Sequence, residues 1–211
     1  LIVAETVQVP SPAAVAVAPI TSGKRSSSTV GPLSSAHAAV RVPSRTRRAN
    51  TERIPGVCQA EGVARLLVVH HSPSDGLRAL RVAALSGAAA DGITGVEVES
   101  VEALQATADE VAAADGYLLG TPANLGYISG ALKHFFDTVY NPSLGVTRGR
   151  PFGAWIHGES DTTGAALAIT KITTGLEWRA VQPLLELIGP VDDQMTSSAW
   201  ELGAAIAAGL M

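Results

Sequence analysis

Three short stretches concentrate the side chains that could do chemistry: His71–Gly76 (HSPSDG), Thr121–Tyr127 (TPANLGY) and Gly158–Gly164 (GESDTTG). Each sets Ser, Thr or Asn beside Gly or Pro, so each offers polar donors on a backbone that turns tightly. In Ser72-Pro73-Ser74-Asp75-Gly76-Leu77, successive N–H groups at the start of a helix can surround a phosphate, helped by the helix dipole. Ser72 and Ser74 add hydroxyl donors, while Asp75 suits an anion only if it points away or caps the helix. The loop has no Lys and the chain no G-x-x-x-x-G-K pattern, which disfavours a P-loop nucleotidase. An ordinary capped turn is the bland alternative.

In the second stretch Pro122 fixes the backbone, Gly126 relaxes it, and Asn124 supplies an amide. Tyr127 offers a flat face to a ligand or subunit, or else only covers core at a helix start. In the third, Gly158 and Gly164 allow close backbone approach to a flat ligand, and Asp161 or Thr162 is expected to cap the next helix. Ser160 has the strand–turn–helix setting of a hydrolase nucleophile, but Thr162 stands where G-x-S-x-G needs glycine, and no Asp–His pair is evident. His70, His71 and His157 are expected at strand ends on a crevice rim, and His134 as an exposed or supporting group. One cysteine, Cys58, and five histidines without ligand spacing predict no metal site.

The elements around these stretches alternate. Arg65–His70 and Gly116–Gly120 read as buried strands, and Ile93–Glu99, Pro151–Gly158 and Pro183–Ile188 as further strands. Helices are expected over Leu77–Ala90; after Ser100 as cap, with Val101, Leu104, Ala108 and Val111 on one face; and over Ile128–Val139, with Ile128, Leu132, Phe135 and Val139 inward and Asn141-Pro142 as the stop. A fourth helix should turn Leu167, Ala168, Ile172 and Leu176 inward, and a fifth should span Asp192–Leu210. Trp155 is assigned to the core and Trp178 and Trp200 to packing. The fold class is α/β: a three-layer sandwich on a five-stranded parallel sheet in the doubly wound order 2-1-3-4-5. In that order the loops after strands 1, 3 and 4 converge where such sheets bind ligands.

Composition divides the 211 residues near residue 60. Residues 1–60 carry seven basic and two acidic groups, lack helix or strand periodicity, and are expected to be disordered. A transit peptide, a basic arm for anionic surfaces, or upstream sequence without a role are the readings weighed for them. Residues 61–211 form the predicted folded domain, with eight basic and seventeen acidic groups, a balance that argues against nucleic acid. No apolar run reaches membrane-spanning length, no secretory signal is evident, and one thiol fits a reducing compartment, so no membrane partner and a cytoplasmic location are expected. Leu1 in place of Met leaves open whether the chain is a fragment.

With RLLVVHHSPS, DGYLLGTPANLGYISGALKHFFDTVYNP and GRPFGAWIHGESDTTGA…ITTGLEWR in view, residues 65–211 resemble the flavodoxin-like flavoprotein superfamily. The likeness is to actinobacterial flavodoxin-family proteins and, more distantly, to FMN-dependent NAD(P)H:quinone reductases. It implies that Ser72, Pro73, Ser74, Asp75, Gly76 and Leu77 hold the FMN phosphate. It also implies that Thr121, Pro122, Ala123, Asn124, Leu125, Gly126 and Tyr127 border the isoalloxazine, and that His157, Gly158, Glu159, Asp161, Thr162 and Gly164 close its pyrimidine end. Asp75-Gly76 departs from the usual polar or aromatic pair after Ser-Pro-Ser.

The expected function is an FMN-binding oxidoreductase passing electrons from NAD(P)H to a small acceptor such as a quinone, with the flavin rather than a protein acid or base carrying the chemistry. A flavodoxin-type electron carrier and a flavin-free binding module are the alternatives. A homo-oligomer is expected by resemblance only.

Overall fold

The structure is a computed structural model that describes residues 62–211. The expectations for residues 1–60 lie outside the described residues. In chain order the elements are β1 (Ala64–His70), α1 (Asp75–Ala88), β2 (Val96–Glu102), α2 (Ala108–Ala113), β3 (Gly116–Asn124), β4 (Tyr127–Ile128), α3 (Gly130–Ser143), β5 (Pro151–Gly158), α4 (Thr163–Gly175), β6 (Arg179–Ala180), β7 (Leu185–Ile188) and α5 (Asp193–Ala208).

The sheet runs β2-β1-β3-β5, with β6 and β7 both paired in parallel along the outer side of β5. This is the expected order 2-1-3-4-5 with the fifth strand in two pieces and a short antiparallel β4 added to β3. The expected strand Pro183–Ile188 starts only at Leu185, because Pro183 has no N–H for the ladder, and Val181–Leu184 separate the two pieces.

Strand alternation sends side chains to two cores. Leu66, Val68, Leu118 and Trp155 pack with α1 and α5, whereas Leu67, Val69, Tyr117, Leu119 and Ile156 pack with α2, α3 and α4. The helices α1 and α5 meet at two glycines. A Cβ on Gly87 would overlap the Trp200 carbonyl, and one on Gly203 the Ala84 carbonyl, so only glycine permits this backbone approach.

Several local expectations need correction. The second strand runs Val96–Glu102, not Ile93–Glu99, because Gly92 and Gly95 at φ 96° and 73° keep the chain turning. Ser100 therefore pairs with Val68 inside the β1–β2 ladder instead of capping a helix. The helix that follows is only Ala108–Ala113, capped by Thr107 in a capping box with Glu110, and Leu104 is exposed ahead of it. Helix α3 begins at Gly130, with Ser129 as its cap, and runs past Asn141-Pro142 to Ser143. Pro142 falls in the last turn, where its missing N–H removes little before the helix stops. In α4, Ala165, Ala168 and Ile169 face inward while Leu167 is exposed. Trp155 and Trp178 are buried, but Trp200 is 40% exposed.

Candidate functional site

Strands β1, β3 and β5 lie side by side, so the chain leaves the sheet three times along one edge. The His71 N–H donates to the Gly120 carbonyl (2.9 Å), and Pro122 stands opposite His157 in the β3–β5 ladder. These registers bring the three polar stretches together.

The first stretch makes the N-terminus of α1. Ser74 is its cap: Oγ accepts from the Leu77 N–H (3.3 Å), and its carbonyl accepts from the Arg78 N–H (2.9 Å). That commits Leu77, which is buried, and leaves the Asp75 and Gly76 N–H groups without an acceptor among the described residues. The Asp75 carboxylate is 99% exposed and paired with Arg78, whose other nitrogen donates to the Pro73 carbonyl (2.9 Å). The acid is thus held by the guanidinium one turn on. Pro73 is exposed, and Ser72 is buried with Oγ 3.2 Å from His70 Nδ1.

His70 is wholly buried at the end of β1. Burial holds its pKa below the ordinary value; Arg81 and His71 act in the same direction and Glu102 opposes them. The unfolded chain therefore takes up this proton first, so stability is level above about pH 6.5 and falls as pH drops below it. A wild-type urea midpoint that declines between pH 7 and 5, with a flatter profile in His70→Gln, is the expected result. Asp161 acts in a separate window: hydrogen bonds from Thr163 hold its carboxylate below its ordinary value, so its stabilisation is lost only at more acid pH.

The second stretch is a β-hairpin rather than a polar loop. Thr121 and Pro122 are buried in β3, and Ala123 is half-buried. The Ser129 N–H donates to Thr121 Oγ1 (3.2 Å), while Ser129 Oγ accepts from the Leu132 N–H (3.2 Å) and so caps α3. Leu125 and Gly126 form the two-residue turn at φ 51° and 73°, the left-handed pair that a type I′ hairpin demands. Asn124, Leu125, Gly126 and Tyr127 are exposed, and the Gly126 carbonyl packs directly on Gly164.

In the third stretch His157 Nε2–H donates to the Gly189 carbonyl (2.7 Å). Gly158 is buried, and a Cβ there would lie 2.6 Å from the Asp161 carbonyl. Thr162 stands at the cap position of α4, but it is Asp161 that accepts from the Thr163 N–H (3.2 Å) and hydroxyl (2.7 Å). The buried Thr162 hydroxyl donates to Glu186 (2.6 Å), and Glu159 is exposed.

The edge therefore offers open backbone donors for an anion beside an exposed, partly apolar hairpin. Among the described residues no cluster of His, Cys, Asp and Glu could hold a metal ion. A cavity of about 250 Å3 beside Arg65, Glu97, Glu99 and Glu110 lies at the opposite end of β1.

Residues 65–185, more than half of the chain, match the family described as NADPH-dependent FMN reductase. The chain belongs to this family. The matched segment contains β1, β3, β5 and all three stretches.

A flavodoxin of Aquifex aeolicus is 30% identical over 88 residues, 42% of this chain and 46% of that protein, so the chain spans less than half the length of this curated relative. Among solved structures, an archaeal flavodoxin superposes with a TM-score of 0.60 at 18% identity, over 69% of this chain and 98% of that one. A WrbA-like flavodoxin of Agrobacterium tumefaciens gives 0.57 at 17%, over 70% and 97%. The two-electron reduced Megasphaera elsdenii flavodoxin gives 0.57 at 21%, over 68% and 98%. These likenesses establish the flavodoxin-like fold.

Sequence reading overlooked four supports of the site. Ser129 was legible, since a serine just before an apolar-periodic helix is a cap signal. Arg81, Glu186 and Gly189 carried no local signal, because each reaches its partner across the fold.

Proposed function

We propose that the chain binds FMN at this edge and acts as an oxidoreductase, taking electrons from NAD(P)H and passing them to a small acceptor such as a quinone. The observation that carries this reading is the start of α1: two open N–H groups at the positive end of a 14-residue helix, with the Asp75 carboxylate exposed and paired with Arg78. These residues fit FMN. A phosphate needs donors, which the start of α1 offers, and Gly126 at the hairpin tip has open space where a Cβ would be, so a flat ring can approach the backbone. Bound FMN would supply the electron chemistry. The chain's part is to hold the phosphate at Asp75, Gly76 and Ser72, and to border the ring with Asn124–Tyr127 while leaving a face open to the donor. Leu125 and Tyr127 form the apolar rim that a quinone would meet.

The test is NADH or NADPH consumption by the purified chain with FMN and a quinone. Turnover without any second protein supports the enzyme, and turnover only with an added reductase supports a carrier. The carrier reading is favoured by the acidic balance of residues 61–211, which suits docking to basic partners. The flavin-free reading rests on Asp75, whose charge would oppose a phosphate. Because that side chain is exposed and paired with Arg78, Asp75→Ser is expected to change FMN affinity by less than about threefold. A much larger gain, measured by flavin fluorescence titration, would show that Asp75 disables the site.

A further inference from the structure

Arg81 stands two turns into α1, and its one polar partner among the described residues is His70, with Nη1 3.3 Å from Nε2. It forms no ion pair there, and its Nε is buried without an acceptor. A guanidinium can only donate, so the imidazole must turn a lone pair toward it at Nε2. A neutral imidazole with a bare Nε2 carries its proton on Nδ1. Two oxygens stand near Nδ1: Ser72 Oγ at 3.2 Å and Glu102 Oε1 at 3.6 Å. Only the first is within hydrogen-bond reach, so Nδ1–H donates to Ser72 Oγ. A hydroxyl that accepts in this way keeps its own proton for another acceptor.

We propose that Arg81 is a positioning residue that makes Ser72 a donor toward the cofactor phosphate, by fixing the tautomer of His70 between them. This rests on the first loop being the phosphate site. Without Arg81 the other tautomer opens. Nδ1 is then bare, Ser72 donates inward to it, and only oxygen lone pairs face the phosphate. The groups around His70 agree with a neutral ring: Arg81 from α1 and His71 from the following loop disfavour the cation, as burial does, against Glu102 from β2.

The test has two readouts. Long-range proton–nitrogen NMR of the flavin-free protein reads the tautomer directly. A proton on Nδ1 of His70 is expected, and a proton on Nε2 overturns the proposal whatever the protein binds. Titration with FMN and with riboflavin, which lacks the phosphate, reads the consequence. Arg81→Met should weaken FMN roughly tenfold, as for one hydrogen bond to a charged group, and leave riboflavin unchanged. Arg81→Lys, still an obligate donor, should restore most of the loss. In Ser72→Ala the further change Arg81→Met should add nothing. Equal weakening of both flavins, or full additivity with Ser72→Ala, overturns the proposal. A wild type with the expected tautomer that binds neither flavin overturns the reading of the loop, and the donor role with it, while leaving the Arg81–His70 pairing in place.

Discussion

Gly164→Ala is expected to lower FMN affinity on the order of a hundredfold while leaving most of the fold intact. Gly164 lies in the first turn of α4, where alanine would ordinarily help the helix by about 1 kcal/mol. Here the added Cβ would overlap the carbonyl oxygen of Gly126. The helix is anchored by the buried Ala165, Ala168 and Ile169, whereas the hairpin tip is exposed, so the tip is the part that moves. Relief of the overlap displaces Asn124–Tyr127 by roughly an ångström, and misplacement on that scale can cost about two orders of magnitude at a site. The stability loss should stay within about 1–3 kcal/mol. Flavin titration beside a urea melt measures both. Unchanged FMN affinity in a folded Gly164→Ala would separate the hairpin from the flavin.

Gly203→Ala should instead damage the fold. Its Cβ would enter the Ala84 carbonyl, and the reciprocal contact of Gly87 with the Trp200 carbonyl leaves α1 and α5 no room to slide. Overpacking against backbone outweighs the gain in helix propensity, for a net loss of about 2–3 kcal/mol. For a domain of this size that is a fall in melting temperature of roughly 4–12 °C. Gly209→Ala, at the end of the same helix, is the control. Its Cβ would meet the Ala205 and Ile206 carbonyls at 3.5 Å, an ordinary contact, and stability should be nearly unchanged. A Gly203→Ala protein as stable as wild type would refute the close helix crossing.

These two glycines also mark what the sequence could convey. The pleat of RLLVVH, the stripe Leu132, Phe135, Val139 and the run PFGAWIHG are local patterns, and they placed β1, α3 and β5 and hence the strand order and the edge where the three stretches meet. Contacts between distant segments left no such pattern. Nothing around Gly203 indicates that Ala84 fills its Cβ position, and nothing around Thr162 indicates that Glu186 will accept its proton. The second strand was misjudged because Ile93 and Val96 are equally apolar and the register turns on two glycines. The Thr121–Tyr127 stretch looked like a loop because a type I′ turn is ordinarily signalled by Asn-Gly or Asp-Gly, whereas here Leu125 takes the left-handed position. The placement of the Asp75 carboxylate is set by its pairing with Arg78 one turn later. That i, i+3 pairing was visible in the sequence, but the bond from the same guanidinium back to the Pro73 carbonyl was not.

The most direct measurement is an absorbance and fluorescence titration of the purified chain with FMN and, separately, riboflavin. Saturable binding of one FMN per chain, with shifted flavin bands and clearly weaker binding of riboflavin, is the result predicted by the proposal that the start of α1 holds the phosphate. A protein that leaves the FMN spectrum unchanged, or that binds the two flavins equally, would contradict it.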